Sequence, residues 1–228
     1  MIEKALSEGR FKLLEHEALA LVESYGIPVA NYGIVFDVNE VERVVKTIGF
    51  PAVAKVVSPD ISHKSDVGGV ILGIKSVEDA IRSYEQIMSN VKKYVPNARV
   101  VGVLYQRMAS PGYIEVIVGA TRDQTFGPVV MFGIGGIFVE LLKDVSFRLA
   151  PLDPEDAEDM IKEIKGYKLL EGYRGMPPRD VEAIKDILIK TSRIMADIDR
   201  IQDIDLNPIM LYEKGKGCLL YTSPSPRD

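Results

Sequence analysis

The sequence predicts a mixed two-part fold. An α/β half covers residues 1–98, and an α+β half with a mainly antiparallel sheet covers 99–217. Two observations lead there. Helix-length and strand-length apolar patterns alternate as far as Tyr94, whereas only short β-rich runs lie between Arg99 and Pro151. The length of 228 residues also equals about one and a half domains of roughly 150 residues, which suits two closely joined halves.

The elements follow in chain order. Residues 12–25 read as a helix, with Leu13, Leu14, Ala18, Leu19, Leu21, Val22 and Tyr25 recurring at three and four before Gly26-Ile27-Pro28 ends it. Asp37 with Glu40 forms a capping box ahead of Val41, Val44, Val45 and Ile48, and Gly49 stops that helix. FPAVAKVV (50–57) is a strand, SPDISHKSDVGG a polar loop, and VILGI a second short strand. Ser76 and Asp79 cap a helix running to about Tyr94. Strands are expected at 99–106, 113–120, 128–132, 137–142 and 145–149, with short links implying one antiparallel sheet. Asp153-Pro154 opens a helix to about Ile164, with Pro at its first position. A second helix runs from about Arg179 to Asp199 on Val181, Ile184, Leu188, Thr191, Met195 and Ile198. The strand DLNPIMLY and the turn EKGKG follow.

Composition bounds the function. With 46% apolar and 27% charged residues the chain is globular rather than disordered. A net charge of −5 argues against a nucleic-acid partner or an anionic membrane surface. No apolar run reaches the roughly 18 residues of a membrane span, and the N-terminus lacks a signal-peptide layout. A single cysteine, Cys218, suits a reducing, cytoplasmic setting. Neither GxxxxGK[ST] nor GxGxxG occurs, and two histidines without CxxC make a zinc site implausible.

Several residues can carry chemistry. Lys55 is the one charge in an Ala/Val strand. It is either an edge-strand lysine whose stem snorkels past apolar neighbours or a fixed cation aimed at an anion. His63 and Lys64 lie in the next loop before Gly68-Gly69. An imidazole can carry a phosphoryl group, and glycines let backbone N–H groups approach phosphate. His63 reads equally as a surface histidine, and His16 as a helix-packing one. Gly133-Ile134-Gly135-Gly136 is a second glycine cluster, a tight turn or another close-approach site. Glu115, Glu140 and Asn207 each interrupt an apolar strand, and such oxygens can jointly hold Mg²⁺. Together these residues favour a nucleotide–Mg²⁺ cleft between the two halves.

Four segments carry a family likeness: LLEHEALALVESYGIP, GFPAVAKVVSPDISHKSDVGGVILGI, YQRMASPGYIEVIVGATRDQTFGPVVMFGIGGIFVELLKDVSFRLAPL and IDLNPIML. Over about residues 1–217 the chain resembles the ATP-grasp β subunit of ADP-forming acetyl-CoA synthetases, relatives of succinyl-CoA synthetase. The resemblance implies an ATP-grasp fold whose small α/β part and antiparallel part clasp ATP or ADP with Mg²⁺. By that likeness Lys55 meets the nucleotide phosphates, and Gln106 lies at the hinge near adenine. Glu115 and Asn207 are metal-site residues, and Gly68, Gly69, Gly135 and Gly136 line the nucleotide. His63 matches the histidine of the family's HK[ST] loop, which takes phosphate from a histidine of a CoA-binding α subunit and passes it to ADP. The implied reversible reaction turns acyl-CoA, ADP and phosphate into acid, ATP and CoA, in a cytoplasmic α2β2 complex.

The chain departs from the family pattern after Gly217. A further strand with a third metal-site Asp is expected there, but the sequence reads CLLYTSPSPRD, and Asp228 lies too far along to serve. Leu219-Leu220-Tyr221 could extend a hairpin, but SPSPRD cannot continue a central strand, and residues 218–228 read as an atypical tail resembling appended sequence. The rival readings are a succinate- or aryl-acid-specific relative, and a non-catalytic nucleotide-binding module attached to an acyltransferase system.

Overall fold

The structure, a computed structural model, describes residues 1–136 and 142–221. The chain forms two compact units. Among the described residues, one comprises 1–21 and 29–108; the other comprises 22–28 and those of 109–221.

In the first unit, α1 (Ile2–Ser7) and α2 (Glu15–Ser24, shared across the unit boundary) precede strand β1 (Tyr32–Val35). A 3-10 turn (Val38–Glu40) leads into α3 (Val41–Ile48). Then come β2 (Ala52–Val57), β3 (Val70–Ile74), α4 (Val77–Tyr94) and β4 (Gly102–Arg107). The sheet order is β1-β4-β2-β3, and every pairing is antiparallel. The expected α/β half is thus a helix-covered antiparallel sheet.

The expected caps form. Asp37 accepts from Asn39 N at 2.9 Å while Glu40 Oε2 accepts from Asp37 N at 3.4 Å. Ser76 Oγ accepts from Asp79 N at 3.1 Å. Each such cap satisfies backbone donors that the helix leaves open and contributes about 1 kcal/mol. Period-2 alternation in β2 sends Ala52, Ala54 and Val56 into a core with Val41, Val45 and Ile48 of α3 and Ala80, Ile87 and Val91 of α4. Burial of each large aliphatic side chain there contributes about 1.5–3 kcal/mol. Tyr105 joins this core; its hydroxyl donates to Ala80 O at 2.8 Å, and burial pushes its pKa up to about 12.

In the second unit, β5 (Ile114–Asp123), β6 (Gly127–Ile134) and β7 (Val145–Leu149) precede helices α5 (Pro154–Glu163), α6 (Tyr167–Glu171) and α7 (Val181–Asp197). Strands β8 (Asp203–Leu211) and β9 (Cys218–Leu220) complete an antiparallel sheet of order β7-β6-β5-β8-β9. Ser146, in register with Phe132 and through it Val118, donates to Met160 O of α5 at 2.8 Å. That bond marks the helix-covered face. α7 covers it with Ile184, Leu188, Thr191 and Met195, and Arg122 Nη2 reaches Met195 O at 2.6 Å to satisfy a terminal carbonyl. The short segment 22–28 belongs to this unit because Lys190 Nζ donates to Gly26 O at 2.7 Å and Leu220 N donates to Pro28 O at 2.8 Å.

Several expectations change. The boundary lies at 108/109 rather than 98/99, because β4 pairs with β1 and β2 of the first sheet. The first of the five runs grouped into one sheet therefore belongs to the other. The tail does not begin at 218: Cys218–Leu220 pairs with Ile209–Leu211 as the last strand. The run expected at 137–142 lies, except for exposed Leu142, outside the described residues, and Glu140 with it. Strand β2 is no edge strand, since β4 and β3 flank it. Among the described residues no helix is long and apolar enough to cross a membrane.

Candidate functional site

The first unit places Lys55 on the sheet face opposite α3 and α4, by alternation from Ala54 and Val56. Its side chain is only 2% exposed. A desolvated ammonium needs strong acceptors: Nζ donates to Glu15 Oε1 at 2.9 Å and to Gln106 Oε1 at 3.1 Å. Gln106 is wholly buried and comes from β4, whose Leu104 is in register with Lys55. The other oxygen of Glu15 accepts from Lys64 Nζ. One carboxylate therefore bridges two ammonium groups.

Sequence reasoning missed Glu15. In the sequence it is an acidic residue in a helix first turn, where the macrodipole alone explains it. Only the fold brings it to a lysine 40 residues away.

His63 is exposed in the loop between β2 and β3. Its neighbour Lys64 holds that loop to α2 through Glu15. The loop glycines have a structural role. Gly68 N donates to Ser65 O at 3.1 Å and Gly69 N to Lys64 O at 2.7 Å, so both N–H groups close the loop rather than face a ligand. Gly68 has φ +62°, and a Cβ on Gly69 would meet Val56 Cγ1 at 2.5 Å, so neither position accepts a side chain without a shift. Beside the loop an open cavity of about 550 Å³ is lined by Arg10, Lys12, Glu15, Ser62, Lys64 and Arg99, among others. His16 is half-buried in α2, and burial lowers its pKa below the usual imidazole value.

The second unit brings Glu115 and Asn207 together on one face. Glu115 pairs with Met210 in register, and Val118 with Leu206. Glu115 is thus turned away from the helix-covered face, as is Asn207, which follows Leu206, and both are exposed. Asp205, opposite Gly119, shares that face. The D-x-N spacing in DLNP is the period-2 signal that identifies it beside Asn207. Gly135 packs against the Glu115 backbone, its N–H donating to Glu115 O at 2.8 Å. Gly136, at φ +67°, has open space where a Cβ would be.

These donors suit Mg²⁺ in kind. They are hard oxygens, and Mg²⁺ is commonly held by one or two carboxylates plus substrate phosphates and water. Among the described residues no group of three His, Cys, Asp or Glu forms a closed metal site.

The first unit thus holds a buried cation and an exposed histidine, and the second an exposed carboxylate and amide on one sheet face. The ATP-grasp domain family matches residues 4–220, and the chain belongs to that family. More particularly, it is 45% identical over 221 residues to the β subunit of ADP-forming acetate–CoA ligase II of Pyrococcus furiosus, covering 96% of this chain and 93% of that one. To the ligase I β subunit of the same organism it is 48% identical over 213 residues, covering 93% and 91%. It is 46% identical to the ADP-forming acetate–CoA ligase I of Archaeoglobus fulgidus but spans only 31% of that longer protein. A solved acetyl-coenzyme A synthetase 1 of Ca. Korarchaeum cryptofilum, in complex with coenzyme A and Ca-AMPCP, matches with a TM-score of 0.88 at 52% identity, covering 96% and 94%.

Proposed function

We propose that this chain is the nucleotide-binding β subunit of an ADP-forming acyl-CoA synthetase and that His63 carries phosphate to ADP. The observation that carries the reading is the exposed His63 beside Lys64, which shares the Glu15 carboxylate with the buried Lys55. It is a nucleophile adjacent in sequence to one held cation, which shares its carboxylate with a second. The relatives support it: a Korarchaeum synthetase structure contains a phosphorylated phosphohistidine segment, and another holds Mg-AMPPCP.

Phosphoryl transfer requires alignment and charge neutralisation more than covalent machinery. Phosphate reaches a His63 ring nitrogen from a CoA-binding α subunit. A terminal oxygen of ADP then forms the new P–O bond as the N–P bond breaks. The bonding pair returns to the ring nitrogen, and a proton on the other ring nitrogen lets the imidazole leave neutral. Lys55 faces the nucleotide phosphates, and Gln106 orients Lys55 and lies at the hinge near adenine. Glu115 and Asn207, with Asp205, offer oxygens to Mg²⁺, which when bound neutralises charge on the phosphate oxygens. Of Gly68, Gly69, Gly135 and Gly136, Gly136 is the one with open space beside it for close ligand approach. The complete reaction converts acyl-CoA, ADP and phosphate to acid, ATP and CoA. It takes place in the cytoplasm, and the α2β2 assembly supplies the CoA and acyl sites.

The test is phosphohistidine mapping with the chain reconstituted with its CoA-binding partner, acyl-CoA and phosphate. Label on His63, and loss of ATP formation but not of ADP binding in His63→Ala, are expected. ATP formation at the wild-type rate by that variant would sink the role. Nucleotide binding with no labelled histidine would favour the non-catalytic module.

A further inference from the structure

Glu15 belongs to no part of the phosphoryl-transfer chemistry described above, yet it touches two of its cations. Its carboxylate lies on Lys55 through Oε1 at 2.9 Å and on Lys64 through Oε2, with the Glu15 side chain 10% exposed. Lys64 is adjacent in sequence to His63, and Lys55 is fixed in an interior strand. The carboxylate is therefore a physical link between the loop that carries the histidine and the strand that carries the buried cation.

We infer that Glu15 is a positioning residue: it docks the His63 loop to Lys55 through Lys64, so that the imidazole meets a phosphoryl group held at Lys55. The inference rests on the proposed phosphoryl role of His63. The geometry supports it in three ways. A carboxylate has two oxygens and accepts from two ammonium groups at once, as Glu15 does. The link is mostly shielded from water, so its attraction is screened less than that of a surface pair. Glu15 and Lys64 both line the open cavity, together with the cationic side chains of Arg10, Lys12 and Arg99. Glu15 also occupies one coordination direction of the Lys55 ammonium, a direction that a phosphate oxygen would take. Its removal should therefore leave nucleotide affinity intact or raise it while spoiling the transfer geometry.

The experiment uses Mg-ATP as the phosphoryl donor to this chain, reading His63 phosphorylation by rapid quench and nucleotide affinity by calorimetry. In Glu15→Gln the labelling rate is expected to fall at least tenfold with no rise in the Kd for Mg-ATP. Lys64→Gln should show the same loss, and the double variant no further loss, because both changes cut one link. Glu15→Asp retains the charge but is one methylene too short to span both ammonium groups, and it should fall in the same direction; it serves if the Gln variant does not fold. Labelling of both variants at the wild-type rate overturns the inference, as does multiplicative loss in the double variant. A fall in affinity and melting temperature together, with the rate per bound ATP unchanged, marks a merely structural glutamate and also overturns it. A wild-type chain whose His63 is never labelled, alone or with its partner, overturns the His63 reading itself. A labelled wild type with unimpaired variants overturns only the role of Glu15.

Discussion

Arg10 and Glu17 meet fork to fork, Nη1 to Oε2 at 2.8 Å and Nη2 to Oε1 at 2.9 Å, with both side chains less than a tenth exposed. Leu14 N donates to the same carboxylate at 2.8 Å. The pair therefore pins the turn that leads into α2, the helix bearing Glu15. Burial alone would raise the Glu17 pKa; the Arg10 and Leu14 bonds outweigh it and hold the carboxyl below its usual value. A depressed folded-state pKa stabilises the fold above the unfolded value, near 4.3, and that stability is lost as pH falls through the lower folded value. Glu17→Gln should melt well below the wild type at pH 7, since breaking a buried pair costs about 3–5 kcal/mol. The gap should narrow below about pH 4. Melting curves from pH 3 to pH 8 check this, and a pH-independent gap would contradict it.

Lys55→Met keeps most of the side-chain volume and removes the ammonium. Glu15 then retains Lys64 but loses its link to the interior strand. A charged hydrogen bond to phosphate contributes about 1.5–3 kcal/mol, so the Kd for ADP should rise about 10- to 150-fold. Titration calorimetry with Mg-ADP reads the change, and unaltered affinity would show that Lys55 meets no phosphate.

Glu115→Gln and Asn207→Ala should each raise the Mg²⁺ concentration giving half-maximal activity at least about tenfold, the loss that even outer-shell partners of a metal site produce. Asp205→Asn should do the same, because it shares their face. Melting temperature without Mg²⁺ should hardly move, as Glu115 and Asn207 are exposed. A Mg²⁺ titration that superimposes on the wild type would remove the residue concerned from the metal site.

The Cys218 thiol is pushed up to about 12, first by burial and then by Asp180 and Asp186. Only a thiolate attacks disulfide reagents quickly. In native protein at pH 8, Cys218 should fail to react with a chromogenic disulfide over minutes and react at once in guanidinium. Prompt native reaction would mean that β9 is open.

Asp180 joins the start of α7 to the turn before β9: its Oδ2 accepts from Gly215 N at 2.9 Å and Gly217 N at 2.8 Å. Its Oδ1 caps Ala183 N at 3.4 Å. Asp180→Ala should cost about 1–3 kcal/mol in urea unfolding. It should also expose Cys218 to the reagent above; loss of stability without that exposure would separate the two.

The sequence was most legible where the forces are local. The caps at Asp37, Ser76 and Asp153 and the stripe of α7 involve residues within a few positions of each other. It was least legible where partners are distant. β1 was missed because four residues containing a glycine, Tyr32–Val35, give little pattern, and their strand partner lies some seventy residues on. That same pairing put β4 in the first sheet, against a composition shift that suggested the second. The site divides in the same way. Lys55 and His63 stood out by chemistry in their own segments. Glu15 did not, because its meaning lies in two lysines that only the fold delivers. Gly68 and Gly69 stand where close packing of the loop requires glycine, and their N–H groups close that loop.

Strand β2 is hydrogen-bonded on both flanks, and the loop bearing His63 starts and ends at paired strands, after Val57 and before Val70. The imidazole is thus tethered at both sides to the sheet that holds the ammonium. Its effective concentration near Lys55 is set by the length of that tether and not by how much protein is in solution. Inserting or deleting residues in this loop would therefore change the encounter rate without touching either reacting group.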